Sequence, residues 1–131
     1  MVRYARLAYR GMIWLFVACV VVQVFLAGLG VFAGEDNFEL HRNFGYTFGW
    51  LALLLPLIAL AGRLGRRVIA MSFGVTVLFI LQSVLVALRT DMPYLAALHP
   101  VNALAIFWLS LSLARGSREF AADPARSPSM S

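Results

Sequence analysis

Residues 11–32 read GMIWLFVACVVVQVFLAGLGVF, a run with no charged side chain and one amide, Gln23. A helix of about 20 apolar residues crosses a hydrocarbon layer of ~30 Å, so this stretch decides the fold. It is too long for the apolar segment of a cleaved leader, and comparable stretches follow it, which makes it a permanent anchor. Residues 68–88 form a second run of similar length. Two more runs reach spanning length once their starts are set by local signals. Asp36 and Glu39 are spaced as a capping box, which opens a helix at about 37 and carries it to about 60, with Pro56 as a kink. Pro93 suits a first helical turn, and the segment from there reaches about 113, bending at Pro100.

Backbone polar groups in lipid must bond within their own segment, so all four runs are expected to be helices. Short connections make them antiparallel neighbours. The expected fold is therefore all-α, an integral membrane up-down-up-down bundle of four helices at about 11–32, 37–60, 68–88 and 93–113. These form one domain over residues 1–118, and the Ser-, Pro- and Ala-rich stretch 119–131 reads as a disordered cytoplasmic tail. With 62% hydrophobic residues and a mean hydropathy of +0.84, the 131-residue chain is far too apolar for a soluble domain of its size.

All eleven basic residues are Arg. Nine of them flank the runs on one side: Arg3, Arg6 and Arg10, then Arg63, Arg66 and Arg67, then Arg115, Arg118 and Arg126. Arg42 and Arg89 lie on the other side, with Glu35, Asp36, Glu39 and Asp91. This bias puts both termini in the cytoplasm of a bacterial inner (cytoplasmic) membrane. It also accounts for the net charge of +5 without nucleic acid as a partner. Cys19 is the one cysteine, which excludes an internal disulfide and a c-type haem attachment motif.

The chain's two histidines and two glutamines recur in register. Gln23 and Gln82 are 59 positions apart, His41 and His99 58, and Asn43 and Asn102 59. Two out-and-back hairpins of this kind make a parallel repeat, related by an axis along the membrane normal. Helices 2 and 4 then lie on a diagonal, and His41 faces His99 in the outer half. Polar groups are costly in lipid, so these positions are candidates for function. As axial ligands, the two imidazoles would hold one haem b. Gly45 and Gly49 fall on the face of His41, and Ala103 one turn after His99, so all three would clear room for a flat ring. Arg42 and Arg89 would meet the propionates at the outer rim, with Tyr46 or Tyr94 in reach. Phe44, Phe48, Trp50 and Phe107 would supply apolar walls. Gln23 and Gln82 would act as bonding partners of the ligands or line a quinone pocket.

Other readings stand beside this one. The histidines would also suit an interfacial or structural role. With Glu35, Glu39 and Asp91 they would form an oxygen and nitrogen site for zinc or copper. Glutamines between membrane helices commonly bond helix to helix, and small residues commonly serve close packing. Asn102 would orient His99 or satisfy a carbonyl freed by Pro100.

Gln23, the Gly28–Gly34 stretch and His41, repeated by Gln82 and His99, resemble one four-helix half of haem A synthase. The arrangement is more generally similar to four-helix membrane cytochromes b. It also resembles a family of small four-span bacterial proteins carrying a Leu-His-Pro-Val-Asn segment, here Leu98 to Asn102. The resemblance implies His41 and His99 as haem ligands, but two histidines admit at most one such haem. The functional expectation is a membrane cytochrome passing electrons between a quinone or other membrane redox partner and an acceptor, at most an electron-transfer component. The alternative is a non-catalytic accessory or assembly subunit of a larger membrane complex. Transport is disfavoured, because no span carries Asp or Glu away from its outer end.

Overall fold

The computed structural model describes residues 1–120, with side chains through Ser117. The expected tail lies, from residue 121 on, outside the described residues. Helix α1 is Val2–Phe32 and α2 is Phe38–Ala61. Helix α3 is Arg66–Ala87, a short α4 is Pro93–Ala96, and α5 is His99–Phe120. Four segments are long and apolar enough to cross a membrane: Val2–Phe32, Glu35–Ala61, Arg66–Ala87 and Pro93–Ser117. Only 17–33% of the most apolar stretch of each is buried in the protein, so most of their hydrophobic surface faces outward. That surface suits acyl chains rather than water, and the molecule is an all-helical, multi-pass membrane bundle.

Helix α1 packs on α2 and α5, and α3 packs on the same two, so α2 and α5 face each other across a diagonal. We call the end that carries the N terminus and the α2–α3 connection proximal, and the other distal. At 31 residues α1 is about 46 Å long and outreaches a ~30 Å hydrocarbon layer. It begins at Val2 rather than near Gly11, so Arg3, Arg6 and Arg10 ride on its first turns. Arg6 donates from Nε to the carbonyl of Gly62 at 3.0 Å, closing the proximal end.

Local chemistry sets the other helix ends. The Asp36–Glu39 capping box does not form. Glu35–Asn37 is instead a single 3-10 turn, and no side-chain cap opens α2. The turn starts from Gly34, whose φ of 121° a side chain would resist. Both the backbone and the side-chain amide of Asn37 return to the Gly34 carbonyl, at 3.0 and 3.1 Å. At the far end of α2, the N–H of Leu64 bonds Ala59 and that of Arg63 bonds Leu60. This is a Schellman closure with an arginine, φ 48°, where glycine is usual.

Both internal prolines act as expected of a residue with no N–H. Pro100 stands in the first turn of α5, and the break between α4 and α5 falls just before it, at residues 97–98. Pro56 leaves the Ala52 carbonyl without a helical donor, and the Thr76 hydroxyl of α3 takes that place at 2.6 Å.

The core fills only part of the bundle. Tyr9, Ile13, Phe16, Ala52, Leu55, Val75 and Ala114 are fully buried together in its proximal and middle levels. The Tyr9 hydroxyl and Ser72 Oγ, 2.7 Å apart, tie α1 to α3 there. Above them Phe79 meets Phe16 and Phe48 edge to face while those two rings are tilted to each other, with ring centres 5.4–6.1 Å apart. Beyond these rings the helices leave a partly open cavity between them, although Leu85 and Asn102 remain buried at its level.

Candidate functional site

The cavity occupies the distal half of the bundle and holds about 1050 Å³. That is at the upper end of the ~300–1,000 Å³ usual for ligand pockets. Phe48 and Phe79 form its floor. All four long helices line it, among them Val21 and Val24 of α1, Arg42 and Tyr46 of α2, Ser83 and Val86 of α3, and Val101 and Leu104 of α5. The void is a slot bordered by both hairpins, α1–α2 and α3–α5.

Within each hairpin a glutamine and a histidine bond reciprocally. In the first, Gln23 Nε2 donates to the His41 carbonyl at 2.8 Å, and His41 Nδ1 lies 3.0 Å from the Gln23 carbonyl. In the second, Gln82 Nε2 donates to the His99 carbonyl at 3.0 Å, and His99 Nδ1 lies 3.2 Å from the Gln82 carbonyl. A carbonyl can only accept, so both Nδ1 atoms carry the proton and both Nε2 atoms hold a lone pair, that of His41 facing Gln23 Nε2 at 3.2 Å. The same four-atom pattern in both hairpins is the structural form of the sequence repeat. It places the imidazoles on facing walls, with ring centres 6.2 Å apart and planes at 63°.

The lining includes Gln23, His41, Arg42, Gly45, Gln82, Arg89, His99 and Ala103. Gly49 is different: a Cβ there would lie 2.6 Å from the Phe79 ring, so its missing side chain serves packing rather than the slot. Gly45 makes room for the Gln23 amide, which lies 2.8 Å from the site a Cβ would take. Phe48, Phe107 and Tyr46 line the cavity, whereas Trp50 points outward and Tyr94 is almost fully exposed. Asn102 makes no hydrogen bond to the His99 ring or to the carbonyl freed by Pro100. It donates to the Leu78 carbonyl at 2.8 Å and to Gln82 Oε1. Among the described residues no three of His, Cys, Asp and Glu gather as metal ligands, so the zinc or copper site with Glu35, Glu39 and Asp91 does not assemble.

Phe79 is the residue that sequence reasoning missed. In an all-apolar helix nothing distinguishes an inward phenylalanine from an outward one.

No curated protein and no solved structure matches the chain. A family model described as a family of unknown function, DUF6220, matches residues 23–90, just over half of the sequence. The match takes in both glutamines and His41 and stops short of His99. By that match the chain belongs to the DUF6220 family.

Proposed function

We propose that the protein is a cytochrome b-like membrane electron carrier, holding a single haem b in the slot between its hairpins with His41 and His99 as axial ligands. One observation carries this reading: two imidazoles, each fixed through Nδ1 to a backbone carbonyl, stand 6.2 Å apart on facing walls of a large cavity. A metal about 2 Å from each of two imidazole nitrogens sets the ring centres roughly 6 Å apart. An Nδ1–H bonded to a carbonyl is the usual outer partner of a metal-binding histidine, orienting the ring and raising its basicity.

The surrounding residues have roles that follow from their chemistry. Ala103 keeps the wall low beside His99, Gly45 gives the Gln23 amide its place beside His41, and the valines and phenylalanines exclude water. Arg42 and Arg89, at the distal ends of the adjacent helices α2 and α3, suit the carboxylates of a haem by charge-assisted bonds. The bound group would supply one-electron transfer, with His41 and His99 as the residues that hold it. Electrons would pass between a quinone or other membrane partner and an acceptor at the distal side. The arginine bias supports a bacterial inner-membrane protein with both termini cytoplasmic.

An absorption spectrum tests this. Purified protein, as isolated or after hemin addition, is expected to show a Soret band and a sharp α-band on reduction. His41→Ala and His99→Ala should each abolish or shift them. No band after hemin addition overturns the proposal, and copurification of that colourless protein with a stoichiometric larger complex would favour an accessory subunit.

A further inference from the structure

The two hairpins are bonded alike at their backbones but not at their side chains. In the second, Asn102 is 8% exposed and holds Gln82 Oε1, while the His99 carbonyl holds Gln82 Nε2. The amide is fixed at both ends, and among the described residues no protein group bonds His99 Nε2. In the first hairpin the counterpart of Asn102 is Asn43, which is exposed and contributes no side-chain bond to Gln23. Gln23 Oε1 is buried with no partner. Its Nε2 lies 3.2 Å from His41 Nε2 as well as 2.8 Å from the His41 carbonyl. Since His41 Nδ1 keeps its proton for the Gln23 carbonyl, Nε2 accepts, and the Gln23 amide caps the lone pair that a metal would need.

We propose that the two ligands are inequivalent: His99 is the fixed ligand and His41 the displaceable one, because Gln23 competes with the iron for its imidazole. The His41 side is then a binding position for a small neutral diatomic ligand, with the Gln23 N–H beside it as donor. This rests on the haem reading above. Gln23 thus acts twice, through His41 as its competitor for the iron and directly as a donor to the diatomic ligand.

Carbon monoxide added to the reduced, hemin-loaded protein is the probe. The wild-type Soret band should shift as carbon monoxide replaces His41. His41→Ala should keep hemin in a five-coordinate, high-spin form, whereas His99→Ala should bind hemin at least about ten-fold more weakly than His41→Ala does. Removing one competing hydrogen bond is expected to tighten His41 on the iron and lower carbon monoxide affinity about ten-fold in Gln23→Leu, with Gln23→Met as a second variant. Asn102→Leu frees Gln82 to cap His99 and should weaken hemin binding. Equal losses in the two histidine variants, or a wild type inert to carbon monoxide, overturn the inequivalence and leave the haem reading intact. A wild type that takes up no hemin defeats both.

Discussion

Gly45 and Gly49 lie one turn apart on α2, yet a methyl group added at each meets a different kind of neighbour. At Gly45 it would meet the end of the Gln23 side chain, which can move aside at the cost of its bond to the His41 carbonyl, about 1 kcal/mol. At Gly49 it would meet Phe79, whose ring is wedged against Phe16 and Phe48. Gly49→Ala is therefore expected to cost about 1–3 kcal/mol, as overpacked cores do. Gly45→Ala should be nearly neutral, the clash being offset by a helix gain of roughly 0.5–1 kcal/mol. Unfolding in mixed detergent compares the two, and equal losses would contradict this account. The same scale shows which side chains could be read in advance. Gln23, His41, Gln82 and His99 were legible because an amide or imidazole in an apolar run needs a partner. Phe79 and Trp50 were not, because in helices apolar on every side no periodicity separates core from lipid.

At the scale of the element, the bond from Thr76 to Ala52 answers the defect that Pro56 makes. Thr76→Val should cost about 1 kcal/mol, the usual net value of such a bond. In a Pro56→Ala background the helix supplies its own donor, so the same change should cost almost nothing. A double-mutant cycle on unfolding free energies reads the difference, and a cost that is unchanged in that background would sever Thr76 from the proline. Here the sequence was only half informative. Pro56 and Pro100 announced a break, but the donor came from another helix and had no local signature. The Asp36–Glu39 spacing suggested a cap, yet the chain leaves Gly34 in a conformation that turns it into a 3-10 turn first.

For the molecule as a whole, four helices and their order followed from run length and short connections. The emptiness of the distal half did not, because composition says where apolar residues lie and not whether they meet. The orientation drawn from the arginines is open to direct test. In a Cys19→Ala background, a membrane-impermeant thiol reagent added to intact cells should label Thr90→Cys and spare Gly65→Cys. The reverse pattern would invert the assignment.

The placement of the cross-bonds has a mechanical consequence. Tyr9–Ser72 and Thr76–Ala52 join one hairpin to the other in the proximal and middle levels, whereas both Gln–His ties stay inside their own hairpin. Distally, among the described residues, no side-chain hydrogen bond pins one pair to the other. The molecule is built like a clothes peg, sprung at one end, with an imidazole on the inside of each jaw. A guest of fixed thickness would set the gap, and its departure would let the jaws relax without disturbing the spring.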